Sequence, residues 1–143
     1  VRESSLKLAV VNYLKRAYPT ACVRKRHGTA FTVQGDPDVY AVINGTHLEI
    51  ELKIGQKTQG LMSKKNGSKR LAKASADLAQ AAERFPNLTK LQISRLEAWR
   101  KAGAFSQIVS SIEELEQFLT GLEAEGVLPP RAIRPSTAAV KGA

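Results

Sequence analysis

The sequence predicts an α/β domain in which a mixed central β-sheet, including a β-hairpin, is flanked by α-helices. Three observations predict it. Apolar residues switch along the chain between the helical and the strand period. Asn44-Gly45 sits between two strand-like runs. The resulting order is helix, strand, hairpin, helices, strand, helix, which suits helices packed on a sheet. With 143 residues, 43% of them hydrophobic, the chain has room for one domain with a real core.

Residues 3 to about 18 read as an amphipathic helix, because Leu6, Ala9, Val10, Tyr13, Leu14 and Ala17 recur at helical spacing and Pro19 stops the pattern. Ala21-Cys22-Val23 is a short strand leading into the basic Lys25-Arg26-His27-Gly28. Residues 39–43 and 46–54 are strand-like, and Asn-Gly between such runs marks a two-residue type I′ turn, since both residues tolerate a positive φ. Residues 55–70 are polar, glycine-containing and basic, and are expected to form a loop. An alanine-rich helix follows over 71–85, with Leu71, Ala74, Leu78, Ala81 and Phe85 on one side and Pro86-Asn87 as its end.

Thr89-Lys90-Leu91-Gln92 has the capping-box pattern, with Leu88 and Ile93 placed as a hydrophobic staple, and Gly103 stands where a glycine closes that helix. Residues 105–109 form a short strand, parallel to its neighbour because a helical crossover precedes it. Ser110-Ser111-Ile112-Glu113 reads as a second capping box, opening a helix through Leu115, Phe118, Leu119 and Leu122. From Gly126 the composition turns to Pro, Ala, Ser and Gly, so 126–143 is expected to be a flexible tail and 1–125 the domain.

The formal charge is +9, from 22 Lys plus Arg against 13 Asp plus Glu. Such an excess suits either a polyanionic partner or a merely soluble basic protein. Aromatics make up only 6% and are scattered, which argues against stacking of single-stranded bases as the main binding mode. A lone Cys22 excludes an internal disulfide framework and a cysteine-based zinc site. Cys22 itself is expected to be buried, and Trp99 and Phe105 to belong to the core. No apolar run reaches the roughly 18 residues of a membrane span. Val1-Arg2-Glu3 does not read as a secretory leader, and without an initiating Met the chain is expected to be processed or a piece of a longer one.

The hairpin brings acidic residues together. With Asn44-Gly45 as a two-residue loop, Ile43 faces Thr46, Ala41 faces Leu48, Val39 faces Ile50, and Asp38 faces Glu51. Opposed residues have Cβ atoms about 4.5–5.5 Å apart, and like charges there destabilise a sheet. A divalent cation would compensate, and Mg²⁺ is commonly held by one or two carboxylates, water and phosphate oxygens. Lys53 points to the same face as Glu51, about 7 Å along the strand. Leu48, Ile50, Leu52 and Ile54 form the opposite, core face. The face bearing His47, Glu49, Glu51 and Lys53 is therefore a site or simply a solvated surface, and Asp36 offers Lys53 an ordinary ion-pair partner.

Gly35-Asp36-Pro37-Asp38 followed by Glu51-Leu52-Lys53 resembles the Pro-Asp…Glu-x-Lys signature of the restriction-endonuclease-like nucleases. More narrowly, the chain resembles the virus-type replication-repair nuclease (VRR-NUC) family. The residues concerned are Lys25-Arg26-His27-Gly28, Gly35-x-Pro37-Asp38, the hairpin with Gly45, Glu51-x-Lys53, and Leu88-Thr89-x-x-Gln92 opening a helix that ends at Ala102-Gly103. The resemblance covers residues 3 to 119 or so. It implies a restriction-endonuclease-like core and a Mg²⁺-dependent endodeoxyribonuclease, with Mn²⁺ as a substitute. Asp38 and Glu51 would bind the metal together with the main-chain carbonyl of Leu52, and Lys53 would orient the attacking water and stabilise developing charge.

By the same resemblance Glu3 matches a helix glutamate that supports the metal site, although a carboxylate at a helix start also suits the macrodipole. Gln92 matches a glutamine near the active centre, although its capping role explains it equally. Lys25, Arg26 and His27 would contact DNA, His27 with the alternative of an idle loop histidine. Stand-alone members of the family are associated with branched DNA such as Holliday junctions, often as homodimers, and an intracellular, cytoplasmic protein is expected, with a virus or prophage as one source. The alternatives are a sequence-specific restriction-type nuclease and a non-catalytic DNA-binding module. One departure from the family is the insertion of residues 55–87 after the Glu-x-Lys strand. Its Lys57, Lys64, Lys65, Lys69 and Arg70 are expected either to grip DNA backbone or to form a solvated basic loop.

Overall fold

In the computed structural model the described residues are 2–27, 33–54, 78 and 83–133. The elements run α1 (Glu3–Ala17), β1 (Cys22–Lys25), β2 (Val39–Ile43), β3 (Thr46–Leu52), α2 (Lys90–Lys101), β4 (Phe105–Val109) and α3 (Ile112–Ala124). The four strands form one open sheet in the order β1-β2-β3-β4. β1–β2 and β2–β3 are antiparallel and β3–β4 is parallel, so the sheet is mixed as expected. Asn44 (φ 50°) and Gly45 (φ 81°) carry the positive φ pair of a type I′ turn, and Ile43↔Thr46, Ala41↔Leu48 and Val39↔Ile50 are the observed pairs.

The sheet is covered on both faces. One face buries Val39, Ala41, Ile43, Leu48, Ile50, Leu52 and Val109 against Leu6, Val10 and Leu14 of α1 and Leu115, Phe118 and Leu119 of α3. The other carries a smaller cluster of Leu78, Phe85, Leu88, Leu96 and Ile108, with Ile93 packed on it. That second cluster lies under α2, so Glu49, Glu51 and Lys53 do not form a solvated surface: they are 0%, 2% and 7% exposed. Charge on a half-sheet this well covered needs partners, because an unpaired buried charge is costly.

The helix ends follow local chemistry. Thr89 Oγ1 accepts from the Gln92 N–H and Gln92 Oε1 from the Thr89 N–H, completing the expected capping box. At α3 the cap is one residue later than expected. Ser111 accepts from the Glu114 N–H, while the Glu114 carboxylate accepts from the Ser110 N–H and pairs with Arg84. Of the helix expected over 71–85, Leu78, Glu83 and Arg84 have helical backbone, and the rest up to residue 82 lies outside the described residues.

Three expectations change. Cys22 is exposed rather than buried, because it pairs with exposed Val42 on the face of β1 opposite buried Val23. Trp99 is only partly buried, its indole engaged in a polar stack instead of the core. The chain after Gly126 does not leave the domain at once. Leu128 is 4% exposed, the Ala132 N–H donates to the Ala17 carbonyl at 2.7 Å, and Arg131 binds Glu123, Thr120 and the Tyr13 hydroxyl. Residues 134–143 lie outside the described part. Among the described residues no helix is long and apolar enough to cross a membrane.

Candidate active site

The site forms at the end of the β2–β3 hairpin away from its turn. Asp38 stands just before β2 and Glu51 near the end of β3, one step beyond the Val39↔Ile50 pair. Asp38 Oδ2 accepts the Leu52 N–H at 2.9 Å, which turns its carboxyl onto the end of β3. The Lys53 N–H donates to the Val109 carbonyl at 3.2 Å, so the parallel ladder to β4 holds the backbone of Lys53 as well. Asp38 and Glu51 face each other closely enough to interact both electrostatically and through a hydrogen bond. The convergence expected from the register is therefore present.

Burial and the neighbouring Asp38 carboxylate push the Glu51 pKa up to about 9, against the pull of Lys53, and the charge of Glu3 acts in the same direction as Asp38. Lys53 Nζ lies 3.7 Å from Glu51 Oε2 with both side chains buried. Lys53 therefore pairs with Glu51, and Asp36 takes a different partner, accepting from Trp99 Nε1 at 3.2 Å. Gln92 serves two purposes at once: its carbonyl closes the capping box while its Nε2 donates to Glu51 Oε2 at 3.3 Å. Glu3 is exposed at the start of α1 and reaches the pair only through its charge.

Arg26, expected to contact DNA, has a guanidinium that is already committed. It donates to both carboxylate oxygens of Glu49, at 2.5 and 3.0 Å, and to the Pro37 carbonyl at 2.8 Å. It also lies 4.6 Å from the Tyr40 ring centroid and 5.4 Å from that of Trp99. His47 stacks on Trp99 and bonds Glu49 at 2.6 Å. Because the Arg26 N–H also donates to the Asp38 carbonyl at 2.8 Å, this residue fixes the main chain on both sides of the Pro37-Asp38 bond. Arg26 is a positioning residue for Asp38. Gly35 helps from the other side. Its φ of 83° favours glycine, and a Cβ there would stand 2.6 Å from Leu91 Cγ, so α2 can close over the loop that leads to Asp38.

Sequence reading missed Lys7. Its Nζ lies 3.7 Å from Asp38 Oδ1 and 3.4 Å from the Arg26 carbonyl. The signal was available in the spacing, because Lys7 is four residues after Glu3 and so on the same side of α1. It missed Glu49 as the buried partner of Arg26 for a different reason, since nothing local pairs residues so far apart. Lys25 and His27 are exposed, and His27 lines a cleft of about 530 Å³ with Lys7, Gln34, Asp38, Leu91 and Gln92. Lys57, Lys64, Lys65, Lys69 and Arg70 lie outside the described residues.

Among the described residues no three His, Cys, Asp or Glu side chains gather around one point. No family model, curated protein or solved structure matches this chain.

Proposed function

We propose that this chain is a Mg²⁺-dependent endodeoxyribonuclease of the restriction-endonuclease-like type, nearest in pattern to the VRR-NUC family and acting on branched DNA. The observation that carries the reading is the meeting of half-buried Asp38 with buried Glu51, with buried Lys53 beside them. An α/β fold whose hairpin is followed by a helix and a parallel strand is in keeping with it.

The residues fit a hard divalent cation. A carboxyl that burial and a second carboxylate keep protonated up to about pH 9 is poorly placed for its own ionisation and well placed to bind a cation. Asp38 and Glu51 would hold the ion, with the Leu52 main-chain carbonyl as a third oxygen and Glu3 at the margin. When bound, Mg²⁺ or Mn²⁺ supplies a polarised phosphoryl oxygen and a water of lowered pKa.

The chain's own groups do the rest. Lys53 is held beside Glu51, where its ammonium can orient a water and offset negative charge on the phosphorane as water attacks phosphorus and the sugar oxygen leaves. Gln92 fixes one oxygen of Glu51 and thereby the direction of its other lone pairs. Neither His27 nor His47 is required as a base: His47 is bound to Glu49 in the stack, away from the carboxylate pair.

Purified protein should cut a panel of labelled junction, flap, fork and duplex DNAs with Mg²⁺ or Mn²⁺ and not with EDTA, favouring a branched form. Lys53→Ala should reduce cleavage about 10³-fold while leaving gel-shift affinity nearly unchanged. A protein that shifts DNA but never cuts it, with either metal, would be a binding module and would overturn the proposal. Cleavage confined to one duplex sequence would instead indicate a restriction-type enzyme.

The basic segment after β3 should contribute through phosphates. Changing Lys57, Lys64, Lys65, Lys69 and Arg70 together to Gln should weaken DNA binding. The slope of log affinity against log salt should flatten by about 0.9 for every phosphate that these cations neutralise. Metal affinity should stay as in the wild type. An unaltered slope would show that these cations do not touch DNA.

A further inference from the structure

We infer that Lys7 is the phosphate-binding residue of this site, held on Asp38 until a cation and a nucleic acid arrive and then transferred to the phosphate. The inference rests on the nuclease reading and assigns a substrate-binding role within it.

Lys7 Nζ is 3.7 Å from Asp38 Oδ1 while Lys53 Nζ is 3.7 Å from Glu51 Oε2, so each carboxylate has one lysine. The two lysines differ in access. Lys53 and Glu51 have side chains 8% and 3% exposed, whereas Lys7 and Asp38 are 27% and 25% exposed and both line the cleft. A phosphate entering the cleft toward Asp38 therefore meets Lys7 before the more enclosed Lys53. Arg26 cannot take that part, because Glu49 and Pro37 hold its guanidinium.

The ion pair between Lys7 and Asp38 suits exchange. It is long and partly solvated, so it contributes little to folding and can be given up at small cost. A cation on Asp38 would repel the ammonium, which would then turn to the nearest anion in the cleft. Charge balance favours the same arrangement. Two carboxylates cancel a divalent cation, leaving the two lysines to complement the doubly negative phosphorane.

The first test uses the metal alone. Mn²⁺ titrated calorimetrically into the full chain without DNA should bind about fivefold tighter to Lys7→Gln than to wild type, since the competing cation is gone. Lys7→Arg, which keeps the charge, should bind as wild type does. The second test is kinetic. Lys7→Gln should lose kcat/KM mainly through KM, with a salt dependence shallower by about one neutralised phosphate, and Lys7→Arg should restore both.

Unchanged or weaker Mn²⁺ binding in Lys7→Gln, an unaltered salt slope, or a Lys7→Arg variant that behaves like Lys7→Gln would overturn the assignment. These outcomes are distinct from failure of the nuclease reading, in which wild type itself would neither bind Mn²⁺ nor cut DNA.

Discussion

Glu51→Gln should make the metal-free protein more stable at pH 8, raising its melting temperature on the order of 5 °C, while reducing DNA cleavage about 10³-fold, or about 4 kcal/mol of transition-state stabilisation. The two effects have one origin. Burial and Asp38 raise the folded-state pKa of Glu51 from 4.5 to about 9. Between those values the unfolded chain ionises this group and the folded chain does not. Its favourable contribution is therefore complete below pH 4.5 and is lost progressively as pH rises to about 9. Glutamine imitates the protonated acid, can still accept from Gln92, and does not titrate.

Melting curves of both proteins in EDTA should thus diverge as pH is raised from 4.5 to 9 and run parallel above it. Added Mn²⁺ should stabilise the wild type, more strongly at higher pH because binding displaces a proton, and should leave the variant almost unmoved. Superimposable pH profiles for the two proteins would refute the account of Glu51.

Arg26→Met should be the most damaging single change outside the carboxylate pair, costing about 3–5 kcal/mol of stability by leaving a buried carboxylate without its main cation. Glu49 is fully buried, and His47 is its remaining partner. Activity should fall further than stability explains, because the Pro37 carbonyl, one residue before Asp38, loses its guanidinium donor. The double variant Arg26→Met with Glu49→Leu separates the two consequences. Replacing a buried ion pair by apolar side chains is often nearly neutral, so the melting temperature should recover substantially while cleavage stays low. Recovery of both together would show that Arg26 acts on folding alone.

Much of this architecture was legible because it is written in short-range chemistry. Asn44-Gly45 specifies a turn, the turn specifies the register, and the register places Asp38 opposite Glu51 with Lys53 on the same face. Thr89 and Gln92 specify where α2 begins, and Leu88 with Ile93 how it enters. Each of these depends on residues a few positions apart, whose geometry the backbone fixes without help.

Tertiary structure decided what those groups become. Strand periodicity assigns Glu49, Glu51 and Lys53 to one face, but only the packing of α2 together with Leu78, Phe85 and Leu88 makes that face dry, turning Glu51 into a shifted acid and Glu49 into a charge that captures Arg26. A basic run after β1 looks alike whether its arginine meets DNA or a buried carboxylate. Lys7 joins the site because α1 sits beside the loop before β2, and Arg131 keeps the chain after Gly126 on the domain because Glu123 and Tyr13 are within its reach. Sequence determines conformations that local sterics and hydrogen bonds can enforce. Burial and long-range charge pairing exist only once the layers have packed, and they set the chemistry of this site.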